Sequence, residues 1–197
     1  MSKACPTPRP FNAVVGSVIF LTLLFFLMFV SRFIFSPLFP TIGEDIPLKS
    51  GQAGTLFLLA AVGALIGSFL AGFVSSRVNH RGSILISAFG AAAGLIAAYF
   101  AGSIWVIGAC LIVLGFFAGI HMPSSVATIT AMVRPEDWGK ALSIQQLGPP
   151  LSLVVSPLLA VVLLRWFSWQ TALLWVAGLC ALLGLGFLGF RGVGSFQ

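Results

Sequence analysis

Six long apolar runs alternate with short polar stretches along the chain, near residues 12–38, 52–75, 82–101, 104–132, 141–164 and 170–190. A bilayer core of about 30 Å needs about 20 apolar residues per helix. Each run meets that length, so the pattern predicts an all-α membrane protein with six transmembrane helices. The connections Gly43–Ser50, Arg77–Arg81, Ala101–Ser103, Arg134–Lys140 and Arg165–Trp169 are short, which forces successive helices to run antiparallel. The stretch Phe11–Val30 is longer than the apolar core of a secretory signal, and no small-residue cleavage site follows it.

Composition narrows the class. The 197 residues are 59% hydrophobic and only 7% charged, against about 25% charged in soluble domains. So few charges cannot wet a compact body, which excludes a soluble enzyme, a nucleic-acid-binding module and a disordered chain. The lipid bilayer is the expected surrounding, and the net charge of +6 is scattered singly rather than gathered into a nucleic-acid patch.

The charge distribution predicts orientation. With the N-terminus inside, Lys3, Arg9, Arg77, Arg81, Arg134, Lys140 and Arg191 share the inner face, and Lys49 and Arg165 the outer. Both termini are then cytoplasmic: residues 1–11 precede the bundle at 12–190, and residues 191–197 form a tail or the start of a linker. The expected location is the plasma membrane of a bacterium. Trp105, Trp138, Trp166 and Trp169 fall at predicted helix ends, where amphipathic rings favour the membrane interface, whereas Trp175 lies deeper and is read as packing. Cys5, Cys110 and Cys180 have neither disulfide nor metal spacing, and neither metal nor cofactor is expected.

Helix packing has a visible cause. Gly63 and Gly67, Gly90 and Gly94, and Gly115 and Gly119 are small-residue pairs four apart. Small residues let helix backbones approach closely where no hydrophobic force drives association.

Ionisable residues inside membrane helices are costly and mark function by default. Arg32 sits toward the outer side of helix 1 and His121 toward the inner side of helix 4. All four acidic residues, Glu44, Asp45, Glu136 and Asp137, lie in predicted loops, so Arg32 has no carboxylate at its depth. Its guanidinium suits an anion. It either faces a wet cavity and holds an anionic solute, or snorkels outward. His121 is a cavity group, a proton-sensitive switch, or a neutral ring bonded to a neighbouring helix. Ser36 beside Pro37, and Gln145 and Gln146 in helix 5, add polar reach. Pro37, Pro40, Pro123, Pro149, Pro150 and Pro157 gather the kinks in helices 1, 4 and 5, leaving helices 2, 3 and 6 plainer. Helices 1 and 4 share an ionisable residue followed by Ser and Pro, the placement expected of two inverted three-helix repeats.

These features resemble the N-terminal six-helix half of the major facilitator superfamily. The family signature between helices 2 and 3 is similar to Gly72-Phe73-Val74-Ser75-Ser76-Arg77-Val78-Asn79-His80-Arg81: Gly72, Arg77 and Arg81 match, while Ser76 replaces an acidic residue and Asn79 a glycine. Gly148-Pro149 resembles the family's helix 5 motif, and Phe167-Ser168-Trp169-Gln170 its turn before helix 6. The resemblance implies a fold of two inverted three-helix repeats and transport by alternating access. It makes Gly72, Ser76, Arg77, Arg81, Gly148 and Pro149 gating or motif residues. Arg32, Ser36, His121, Gln145 and Gln146 are the expected contacts of a small-molecule solute. It also implies a second six-helix half as partner, as a separate chain, a missing portion or a second copy. Ser76 cannot supply the signature's charge, so a gate here rests on Arg77, Arg81 and packing.

Three functions are weighed. The first is one half of a secondary active or facilitative transporter of a small, anionic solute. The second is a truncated, assembly or regulatory six-helix subunit without transport of its own. The third, an intramembrane hydrolase using His121 with Ser124 or Ser125, lacks a nucleophile elbow and an acid at membrane depth. The chain is therefore expected not to be an enzyme.

Overall fold

The computed structural model describes residues 10–47 and 51–189. Helices account for nearly all of them: α1 (Phe11–Phe33), α2 (Phe35–Asp45), α3 (Gln52–Tyr99), α4 (Ile104–Met132), α5 (Trp138–Gln145), α6 (Gly148–Leu164) and α7 (Trp169–Gly189), with one 3-10 turn at Pro135–Asp137. Five helical stretches are long and apolar enough to cross a membrane: Phe11–Asp45, Gln52–Tyr99, Ile104–Met132, Pro135–Leu164 and Trp169–Gly189. Lys3, Cys5, Arg9, Lys49 and Arg191 lie outside the described residues, as do both predicted terminal segments apart from Pro10 and Phe11.

Several predicted boundaries move, each for a backbone reason. The first helix does not end at residue 38. It continues through Pro40 to Asp45, so Gly43 to Asp45 are helical rather than loop. It is interrupted at Ile34, whose dihedrals stay helical (φ −60°, ψ −27°). Pro37 has no N–H for the Phe33 carbonyl four residues back, which breaks the ladder without bending the chain away. The predicted helix 5 starts at Trp138 rather than 141 and divides at Gln146–Leu147. Here Pro149 and Pro150 withhold the same bond from Gln145 and Gln146.

The predicted loop Arg77–Arg81 is helical except at Asn79 (φ 61°, ψ 164°). That one residue reverses the chain. A straight 48-residue helix would be about 72 Å long and hold Gly63 and Gly94 about 46 Å apart. Instead both meet the same stretch of α4. A Cβ on Gly63 or Gly67 would collide with the carbonyl oxygen of Ile112 or Phe116, and one on Gly115 or Gly119 with that of Ala60 or Ala64. On the far side of the reversal, Gly90 faces Phe117, and Gly94 faces Leu114 and Val113. Residue numbers rise together in the first set and oppose in the second. Residues 52–78 therefore run parallel to α4, and residues 80–99 run antiparallel to it. All three glycine pairs lie where helices meet: Gly63/Gly67 and Gly115/Gly119 bring two backbones together, whereas Gly90/Gly94 take up side chains of α4.

The buried apolar side chains form two clusters. One contains Met28, Ile34, Phe35, Leu38, Ile42, Leu95, Leu111 and Leu173. The other contains Val14, Val18, Leu21, Leu24, Ile84, Ile129, Met132 and Phe187. On α4 the first cluster stops at Ala118 and the second starts at Ile129. The buried α4 residues between them are Gly119, Ile120, His121, Ser124, Ser125 and Thr128. A largely polar layer thus separates two apolar ends.

The helix ends are pinned. Trp169 is buried rather than interfacial, and its indole N–H donates to Asp45 Oδ2 at 2.7 Å. Gln170 Nε2 adds a 3.4 Å bond to the same oxygen. A carboxylate at the N-terminus of α7 also suits the helix dipole. At the other end of α7, Arg81 donates to the carbonyls of Phe187 and Leu188 at 3.2 and 3.0 Å. Trp138 closes α4 by donating to Val133 and Thr130 carbonyls. Trp175 is 53% exposed, so it is not interior packing: it leans on Phe167 beside a surface groove on α7.

Candidate functional site

The polar layer is built from α1, α4 and α5. His121 is fully buried, and its ring stacks on Phe25 of α1 with centroids 5.9 Å apart and planes 12° from parallel. Neither ring nitrogen of His121 has a hydrogen-bond partner among the described residues. Ser125, one helical turn on, accepts a 2.7 Å bond from Gln145 Nε2, which ties α5 to α4. Gln145 Oε1 and Ser124 Oγ are buried and unpartnered. Leaving a buried polar group unsatisfied costs about 1–3 kcal/mol. Four such atoms within one layer are unusual for purely structural packing.

A second set of groups lies around a cleft of about 290 Å3 between α1, α2, α3 and α6. Phe33, Ser36 and Pro37 form one wall, and Leu153, Ser156 and Pro157 the other, with Phe57 between them. Ser156 is fully buried and its Oγ has no partner. Arg32 precedes Phe33 and lies one turn before Ser36. It is half-buried, and its Nε is buried without a partner. Among the described residues the one ion pair is Lys140–Asp137, at 2.9 Å, so no carboxylate answers Arg32.

The structure brings His121 and Gln145 into one layer through Ser125, and sets Ser36 at the cleft next to Arg32. Gln146 is exposed at the α5–α6 break and joins neither. Gly148 packs beneath α1: a Cβ there would lie 3.2 Å from Phe25 Cδ1 and 3.3 Å from the Phe26 nitrogen. The Pro149 carbonyl accepts from Ser152 Oγ at 2.6 Å. In the signature segment, Gly72 has open space around it. Ser76 bonds the Phe73 carbonyl at 2.7 Å, and the Arg77 guanidinium lies 5.1 Å from the centre of the Phe73 ring. Arg81 of this segment reaches another helix, α7, through the carbonyls of Phe187 and Leu188.

Sequence reasoning missed Phe25, Ser156 and Asp45, and weighed Ser125 only as the nucleophile of a hydrolase. Ser156 carries a signal in its own sequence, because it precedes Pro157 as Ser36 precedes Pro37. Phe25 and Asp45 carry none, since an apolar run and a loop acid look alike whatever they touch. No group of three or more potential metal ligands exists among the described residues.

The family model of the Major Facilitator Superfamily matches residues 21–194. The chain belongs to the major facilitator superfamily. It is 29% identical over 157 residues to a chloramphenicol resistance protein of Streptomyces lividans, a match covering 79% of this chain and 39% of that protein. Its fold aligns with the inward-facing, unoccupied crystal structure of a bacterial homologue of the human lysosomal transporter Spinster. That alignment has a TM-score of 0.82 and 17% identity, and covers 96% of this chain and 45% of the other. The chain therefore spans less than half the length of both. Superfamily and fold are those of an integral membrane transporter rather than of an enzyme.

Proposed function

We propose that this chain crosses a bacterial plasma membrane six times, as two inverted three-helix repeats with both termini cytoplasmic. In this reading it moves a small solute by alternating access as one half of a transporter, against a second six-helix bundle. The reversal at Asn79 supports six crossings, because residues 52–78 and 80–99 are each about the length of one span. The observation that carries transport is the layer of unpartnered buried polar atoms on His121, Ser124 and Gln145 between two apolar ends. A polar layer of that kind suits a path that is wet or solute-filled in one state and closed in another. The relatives' names, one a chloramphenicol resistance protein and one a homologue of a lysosomal transporter, agree with solute transport.

Arg32 supplies the positive charge beside that path, and in this proposal it holds an acidic group of the solute. Guanidinium offers five donors in a planar fork that fits carboxylate or phosphate. The test is uptake into proteoliposomes containing the chain with its second half, comparing Arg32→Ala and Arg32→Lys. Alanine is expected to abolish uptake of anionic solutes, and lysine to weaken it while keeping charge selectivity. Unchanged affinity for every anion in both variants would remove Arg32 from binding. A chain that assembles with a partner and carries no solute would favour the assembly or regulatory subunit instead.

A further inference from the structure

Two prolines, Pro37 and Pro157, line one cleft, and a third, Pro40, follows its lining residue Ser36 by one helical turn. In an α-helix each carbonyl accepts from the N–H four residues on, and proline has no N–H to give. Pro37, Pro40 and Pro157 thus withdraw the helical donor from the carbonyls of Phe33, Ser36 and Leu153. All three of those residues line the 290 Å3 cleft. A fourth proline shows how the fold treats the same situation elsewhere. Pro123 withdraws the donor from Gly119, and Ser68 of the neighbouring helix donates to the Gly119 carbonyl at 3.3 Å. Among the described residues no side chain does this for Phe33, Ser36 or Leu153. Ser156 Oγ, fully buried at the same cleft, has no partner either.

We infer that this cleft is a solute subsite that reads a hydroxyl or amide N–H group carried on an apolar body. The inference rests on the transport reading above and deepens it by naming the solute class. Backbone carbonyls only accept, so the group they meet must donate. An ammonium would donate, but Arg32 stands one residue from Phe33 and four from Ser36, and like charges repel. A neutral hydroxyl or amide remains. Phe33, Phe57, Leu153 and the two proline rings make the walls apolar. The volume sits at the small end of the range of about 300–1,000 Å3 for small-molecule sites, enough for one ring and its substituents. With Arg32 beside the cleft for an acidic group, the class is a hydroxy- or acylamino-carboxylate with an aromatic or branched aliphatic body.

Mandelate and phenylacetate differ by one hydroxyl and test this directly. Equilibrium binding of each, radiolabelled, is measured on the full chain in lipid nanodiscs. Mandelate is expected to bind about tenfold tighter or more, as for a site whose buried acceptors lose their partner with the analogue. Pro157→Ala restores the N–H that the Leu153 carbonyl lacks, so it should bring the ratio toward one. Pro123→Ala, away from the cleft, should leave the ratio unchanged. Ser156→Ala, which leaves the helix backbone alone, should also lower the ratio and keeps the test valid if Pro157→Ala fails to fold. Arg32→Ala should weaken both ligands by the same factor. Equal binding of the two acids with Arg32→Ala weakening both overturns the donor-reading subsite and leaves the transport reading standing. Binding of neither acid, while uptake of another anion depends on Arg32, overturns the subsite in the same way. Uptake of no solute by the assembled transporter overturns the reading beneath it.

Discussion

The rings of Phe25 and His121 stack at 5.9 Å inside the bundle, and a Cβ at Gly148 would press on the same Phe25 at 3.2 Å. One phenyl ring thus joins α1 to α4 and to α6. The imidazole has the packing of a core aromatic residue and two polar atoms that the core does not use. Its shape stabilises the fold, and its nitrogens do not. Under the transport proposal those two nitrogens lie on the solute path.

His121→Phe separates the two roles. The substitution keeps a flat ring against Phe25 and removes two unsatisfied nitrogens. Thermal unfolding in detergent should show a variant more stable by about 1 kcal/mol, while uptake by the assembled transporter falls steeply. A variant less stable than the parent would mean that the imidazole has partners in the folded protein.

Glycine substitutions should sort by contact rather than by motif. Gly63→Ala and Gly67→Ala place a methyl group against α4 backbone carbonyls, which cannot move as a flexible side chain does. Each should destabilise the bundle by about 1–3 kcal/mol. Gly72→Ala meets open space and should change stability by less than about 0.5 kcal/mol. The unfolding midpoints of the three variants, measured side by side, check the order. Equal loss at Gly72 would contradict it.

Asn79 holds a backbone conformation that glycine adopts without strain and other residues rarely do (φ 61°, ψ 164°). Asn79→Gly should raise stability by about 1 kcal/mol, and Asn79→Val should lower it by more. Quantitative unfolding of both would decide. If glycine proves destabilising, a side-chain contact of Asn79 outweighs the backbone term.

Asp45 and Trp169 form the tie between α2 and the start of α7. Trp169→Phe keeps most of the ring's burial and removes the N–H donor. A double-mutant cycle with Asp45→Asn should return a coupling energy of about 1 kcal/mol or more, typical of a hydrogen bond to a charged acceptor. Additive losses would show that the 2.7 Å bond contributes nothing beyond packing.

Much of this fold is legible along the chain because lipid imposes one-dimensional rules. Length of apolar run, scarcity of charge and spacing of small residues are local properties. The pairs at Gly63/Gly67, Gly90/Gly94 and Gly115/Gly119 predicted where helices meet, and the breaks at Ile34 and Leu147 follow from prolines read in place. The site was less legible. Arg32 and His121 stood out because charge is rare in such runs, yet their neighbours Phe25, Ser125 and Ser156 are ordinary residues for a membrane helix. Trp169 was read as an interfacial anchor because a tryptophan at a helix end gives that signal whether it faces lipid or a carboxylate.

The apolar periods settle that the chain lives in a membrane and roughly where it enters and leaves it, since burying each backbone N–H and C=O in lipid demands helices of a set length. Which face of each helix turns inward is another matter. The runs are apolar all round, so no polar stripe tells a lipid-facing side from a packed one. Only contact between helices distant in sequence decided that His121 rests on Phe25, that both halves of α3 grip one stretch of α4, and that the three residues whose carbonyls lose a helical donor to proline line one cleft.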